Sequence, residues 1–192
     1  MAQRIGKYKV SKREAELSAV DGATIVGSLD GITDLTATGA VELSGGIKSG
    51  DAKILAAGAG QLLVASDAGK TIVFGAAAAT LIKLPAPELG MVFNFVSAIT
   101  ATGDHEIQAL TNAEGFVGGV SILSTAVGES DAFAAAAAGT NDFITMNGTT
   151  KGGIAGSGLR IVAILDASAA KCWLVTGTLI GSGTIATPFA AS

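Results

Sequence analysis

Between residues 71 and 177 the apolar positions come in short runs, broken every few residues by Gly, Asn, Asp or Pro. The stretch opens on Thr71-Ile72-Val73-Phe74 and closes on Lys171-Cys172-Trp173-Leu174-Val175-Thr176-Gly177. Punctuation of this kind predicts strands rather than helices. We place them at 71–74, 80–84, 91–98, 105–110, 116–123, 142–147, 159–165 and 171–176. Eight strands separated by turn signals predict a mainly β chain, an antiparallel β-sandwich of jelly-roll type with an extended N-terminal arm. In Met91-Val92-Phe93-Asn94-Phe95 the first, third and fifth residues share one face and Asn94 points the other way, so this strand is half-buried. Residues 159–165 are apolar except for Arg160, which predicts cover on both faces. Pro85 and Pro87 frame a connection after Leu84, because proline is excluded from central strands. Asn147-Gly148 is a turn signal, and the Ala-rich stretch 133–138 reads as a loop.

The flanks differ from this centre. Residues 1–22 are basic and extended, with Ser11 placed three residues before Glu14 to cap a short helix that Asp21-Gly22 would stop. Residues 23–66 are rich in Gly, Thr and Ala and carry short strand-like pieces, among them Thr24-Ile25-Val26, Val41-Glu42-Leu43 and Gln61-Leu62-Leu63-Val64. Such pieces cannot form a core alone, so they are expected to add strands to another sheet or wrap another subunit. The main domain is assigned to 67–180, and 181–192 is an apolar tail expected to pack on a neighbour or fray.

Composition changes this picture in two ways. First, the mean hydropathy of +0.55 is high, yet Gly, Asp or Lys interrupts every apolar run before it could span a membrane. Burial between subunits accounts for the hydropathy better, and symmetric self-association is expected. Second, the net charge of −4 is unevenly spread. Arg4, Lys7, Lys9, Lys12 and Arg13 precede every acidic residue, so the remaining seven bases face sixteen acids and that part carries −9. A basic arm on an acidic body suits docking on something negative. No apolar leader opens the chain, so export is not expected.

Candidate chemistry is sparse. Gly69-Lys70-Thr71 lacks the earlier glycine of a phosphate loop, since Val64 holds that place, and a strand follows rather than a helix. Gly181-Ser182-Gly183-Thr184-Ile185-Ala186 is followed by only six residues, too few for a dinucleotide fold. His105, the only histidine, has no company for zinc beyond Cys172, the only cysteine, and Gly156-Ser157-Gly158 is not a nucleophile elbow. Both His105 and Cys172 read as structural. Asp104 and Glu106 share a strand face and would serve a polysaccharide hydrolase only in a cleft. Asn147-Gly148-Thr149 fits a glycosylation sequon but reads as a turn. We expect no enzyme, no cofactor and no metal.

The run Thr80-Leu81-Ile82-Lys83-Leu84-Pro85-Ala86-Pro87-Glu88-Leu89-Gly90-Met91-Val92-Phe93-Asn94-Phe95, with a closing strand that carries Trp173 and ends at Gly177, resembles β-domains of tailed-phage structural proteins. The resemblance covers residues 67–177. It implies a capsid decoration (cement) protein on the virion surface, made in the host cytoplasm and assembled as a homotrimer between capsomers. It also implies an N-terminal arm that clasps the major capsid protein, here through Arg4, Lys7, Tyr8, Lys9, Lys12 and Arg13. Neither nucleic acid nor membrane is an expected partner. The alternative is a head or tail fibre subunit, an adhesin that binds a host glycan.

Overall fold

A computed structural model of the chain describes residues 52–126, 128–135 and 140–191. The basic arm, the cap at Ser11 and the strand-like pieces at 24–26 and 41–43 lie outside the described residues. Twelve strands are described: β1 (Ala52–Leu55), β2 (Gly58–Leu62), β3 (Thr71–Phe74), β4 (Thr80–Lys83), β5 (Val92–Ser97), β6 (His105–Gln108), β7 (Phe116–Ser124), β8 (Asp131–Ala134), β9 (Phe143–Met146), β10 (Gly158–Leu165), β11 (Lys171–Gly181) and β12 (Phe189–Ala190). No α-helix occurs among the described residues. The chain is therefore mainly β, and each of the eight expected strands is present. β1 and β2 arise from the Gly-rich segment, β8 from a stretch with the composition of a loop, and β12 from the tail. The tail packs on its own chain, with Phe189 buried beside β9.

The strands form two sheets. One holds seven in the order β1-β3-β5-β10-β11-β7-β8, the other five in the order β12-β9-β6-β4-β2. From β1 to β6 the chain alternates between the sheets, and each strand lies parallel to the one two places earlier. The backbone thus winds through three turns of a coil. β7 departs from it, running parallel to β11 and antiparallel to β8. β10 is antiparallel to β5 and β11, and β9 to β6 and β12. Both sheets are mixed, where the sequence pattern predicts antiparallel pairing throughout and a jelly roll. Side-chain alternation is the same in parallel and antiparallel strands, so the pattern does not separate them. Direction is set by the connections, and here 63–70 and 84–91 cross to the other sheet instead of folding back as hairpins.

Alternate residues of both sheets share one core. Ile72, Phe74, Phe93, Phe95, Ile161, Trp173 and Val175 point in from the larger sheet, and Ile82, Ile107, Ile144 and Met146 from the smaller. Phe93 and Trp173 meet with ring centroids 5.7 Å apart, and Phe74 stacks on His105 across the sheets at 4.6 Å. His105 opens β6 with its ring fully buried. Its Nε2 donates to the Ala76 carbonyl at 2.8 Å, which fixes the tautomer because a carbonyl only accepts. Burial pushes its pKa down, against the pull of the Ala76 and Ala78 backbone and the Asp104 charge, so the ring is neutral. Gly148 follows Asn147 in the turn. Its φ is +74°, and a Cβ there would sit 1.9 Å from the Ala101 carbonyl oxygen, so only glycine closes this loop.

Among the described residues the first turn of the coil is pinned by one carboxylate. Asp67 is buried in the short 3-10 turn between β2 and β3. It accepts from Lys53 Nζ on β1 at 2.5 Å, from Lys70 Nζ at 2.9 Å and from the Val64 amide at 3.2 Å. Burial alone would raise its pKa, but the two lysine hydrogen bonds, the Val64 amide and the Lys53 charge outweigh it and bring it from 3.8 to about 2. A lowered folded-state pKa means stability that is present above pH 3.8 and lost as pH falls through about 2. At about 1.4 kcal/mol per unit the carboxylate contributes on the order of 2 kcal/mol at neutral pH. Asp67→Asn should lower the unfolding free energy by about that much at pH 7. The difference from the parent should shrink as the pH falls from 4 to 2. Urea titrations across that range read both.

Candidate functional site

The two sheets present outward faces of opposite character. On the smaller sheet the outward residues of β4, β6 and β9 are Leu81 and Lys83, Glu106 and Gln108, and Phe143 and Thr145. Charges of both signs and an amide stand on it, as expected of a solvated surface. The larger sheet differs. Its register lines Val92, Val162, Leu174 and Val117 in one row across β5, β10, β11 and β7, all half-buried. Four positions along β5, Ile54, Val73 and Val96 line up across β1, β3 and β5, and the row continues as Gly158, Thr178, Ser121 and Ala132 to β8. Between them runs a row through all seven strands, Ala52, Thr71, Asn94, Arg160, Thr176, Gly119 and Ala134. Arg160 is the only charged residue in the three rows.

This face has two halves. Aliphatic side chains stand along β1, β3 and β5, with Ile54 73% exposed. Small residues line the other side, where Gly119, Ser121, Ala132 and Ala134 border an open trough beside Gly177. The pattern of residues 159–165 predicts cover on both faces, and the structure corrects this. Leu159, Ile161 and Ala163 are buried, whereas Arg160 is exposed and Val162 and Ile164 are half-covered.

The other candidates are built into the scaffold. Ser157 is buried with its hydroxyl fully used. The Oγ donates to the Ile154 carbonyl at 2.8 Å and accepts from the Ile180 amide at 2.9 Å and the Gly153 amide at 3.2 Å. It staples the loop 147–157 to β11. Asn147 turns that loop, its Oδ1 accepting from the Thr149 and Lys151 amides. Cys172 is buried, and burial, with the Asp166 charge, pushes its thiol pKa up. The thiolate is therefore disfavoured. Asp104 and Glu106 border an open depression with Gly58, Ala79, Thr80 and Leu81, and no aromatic ring lines it. Among the described residues no three His, Cys, Asp or Glu side chains gather into a metal-binding group. No helix of the described residues is long and apolar enough to cross a membrane. Arg4, Lys7, Tyr8, Lys9, Lys12 and Arg13 lie outside the described residues.

Sequence reasoning misses the face of the larger sheet. Its aliphatic row draws one residue each from β5, β10, β11 and β7, and only the strand register brings Val92, Val162, Leu174 and Val117 together. The one local signal is the 159–165 run. No known family model, curated protein or solved structure matches the chain.

Proposed function

We propose that this chain is a structural virion protein, a capsid decoration (cement) protein that binds between capsomers and stabilises a phage head. The observation that carries the reading is the outward face of the seven-stranded sheet, mostly aliphatic or small in three rows with Arg160 its single charge. Such a face suits permanent contact with further copies, and a homotrimer is the assembly we assign. Its two unlike halves favour a head-to-tail contact, aliphatic side against small-residue side, which closes into a ring at threefold rotation. The basic N-terminal arm then attaches the trimer to the major capsid protein. Many weak contacts, repeated over a lattice, hold a shell against internal pressure by multivalency.

The arm gives the test. Each exposed ion pair contributes only about 0–1 kcal/mol, so Arg4, Lys7, Lys9, Lys12 and Arg13 act as a sum, with Ile5, Tyr8 and Val10 adding apolar burial. The full chain should co-sediment with expanded, undecorated phage heads. Deleting residues 1–20 should abolish this and leave the melting of the β-domain unchanged. Reversing the five charges should weaken binding and flatten its salt dependence. Full occupancy by the truncated protein would remove the arm from the account. Specific signals on a glycan array without head binding would replace decoration by adhesion.

A further inference from the structure

The loop 75–79 carries the chain from β3 in the larger sheet to β4 in the smaller, and its residues, one glycine and four alanines, offer nothing longer than a methyl group to hold it. It is held by its backbone. The Ala77 carbonyl accepts from the Thr102 amide at 2.7 Å, the Gly103 amide at 3.2 Å and the Thr102 hydroxyl at 3.2 Å. Just after the loop, the Thr80 amide donates to the Asp104 carbonyl at 2.9 Å. The crossings 75–79 and 98–104 therefore form one clamp at one end of the two sheets. His105 adds a side chain to it. The ring is fully buried against Phe74, with centroids 4.6 Å apart and planes 7° apart, and its Nε2 donates to the Ala76 carbonyl at 2.8 Å.

The other ring nitrogen, Nδ1, is buried with no hydrogen-bond partner among the described residues. In the neutral ring it is only a lone pair, whereas in the charged ring it becomes a donor that needs an acceptor. The Ala78 carbonyl already accepts from the Thr80 hydroxyl at 3.2 Å. Asp104 is the charge that acts on the ring, while Glu106 lies on the opposite face of β6. Phe74 on β3, Thr80 on β4, Met146 on β9 and the loop 75–79 bring no titratable group. The face of Phe74 attracts a cation, but a ring stripped of water and left with an unmet donor loses more. We propose that His105 is an acid-sensitive latch: a proton taken up at Nδ1 frees the loop 75–79 from β6 and opens this end of the two sheets while the rest of the domain stays folded. Opening is local because Ala76 and Ala77 are only half-buried and Gly75, Ala78 and Ala79 are exposed, so little apolar surface is lost. Burial holds the folded ring's pKa below 6.5, so the latch is fully closed above that pH and loosens as the pH falls below it. Asp67 and Asp166 are lowered from 3.8 and act in a more acidic range.

Hydrogen exchange on the full chain, corrected for the intrinsic effect of pH on exchange, is the test. Between about pH 7.5 and about pH 5 the Thr80, Thr102 and Gly103 amides should lose at least about threefold in protection, with a ceiling of about 30-fold set by the ordinary imidazole pKa. The Gly69 and Leu84 amides donate to the Val92 and Gln108 carbonyls at the far end of the sheets and should change by less than about twofold. His105→Gln keeps a donor for the Ala76 carbonyl and cannot titrate, so protection of the three amides should no longer fall with pH. Nuclear magnetic resonance of the ring in the unaltered chain gives a readout that does not depend on the variant folding. The folded ring should carry its proton on Nε2 at neutral pH and titrate below about 6. A ring that titrates at its ordinary value or above, unchanged protection at the three amides, equal loss at both ends of the sheets, or a loss that persists in His105→Gln would each overturn the proposal.

Discussion

Glutamate at both Val162 and Leu174 is expected to leave the chain folded but monomeric. The two residues are register partners at the centre of the seven-stranded sheet, between Val92 and Val117, and both are half-buried. In the isolated domain their outer sides reach water, so the cost to folding is the small change in strand propensity, up to about 1 kcal/mol. Under the proposed assembly the same positions are covered, and two adjacent carboxylates would be desolvated with Arg160, two residues along β10, able to pair with only one of them. Leaving a charge buried and unpaired costs about 3–5 kcal/mol, which weakens association about a hundredfold or more at each interface. Sedimentation velocity should show the parent as a trimer and the variant at one-third of that mass, with both melting cooperatively. Leu81→Glu, on the outward face of the smaller sheet beside Glu106 and Lys83, should leave the trimer intact. Equal dissociation by both variants would mean that the larger sheet holds no special place in assembly.

Trp173→Ala is expected to have the largest effect on stability. Trp173 is fully buried on β11, paired with Ala163 on one side and Phe116 on the other, and packs against Phe93. Removing an indole from a close-packed site loses its transfer energy and leaves a cavity, about 3–5 kcal/mol in such sites. Domains of this size have a net stability of only about 5–15 kcal/mol, so the variant should sit near its unfolding threshold at 37 °C. Circular dichroism in urea is the readout, because the substitution deletes the only tryptophan. Trp173→Phe keeps most of the volume and should lose distinctly less. A midpoint unchanged by Trp173→Ala would mean that β11 does not anchor the core as the packing shows.

Much of the scaffold is legible in the sequence because two-residue alternation survives there. Phe93 and Phe95 point inward and Asn94 outward, as their spacing requires. Pro85 and Pro87 end β4 where they should. His105, Ser157 and Cys172 carry no motif of chemistry in the sequence, and their burial and hydrogen bonds agree with a structural role. Strand direction is not legible, because no single strand records which neighbour it will meet. β8 escapes notice because Ala132 and Ala134 pack on Ser121 and Gly119 with almost no side chain of their own. Tertiary pairing decides such a strand, not propensity. The 159–165 run has the pattern of a strand covered on both sides, and in a single chain one side is open. Under the proposed assembly that second cover comes from a neighbouring copy, which reconciles the pattern of the run with the structure.

Light scattering coupled to size exclusion, on the full chain at micromolar concentration, tests the central claim most directly. The account predicts a single species of three times the 18.8 kDa chain mass, unchanged on dilution within the micromolar range. A clean species of one chain mass would contradict it.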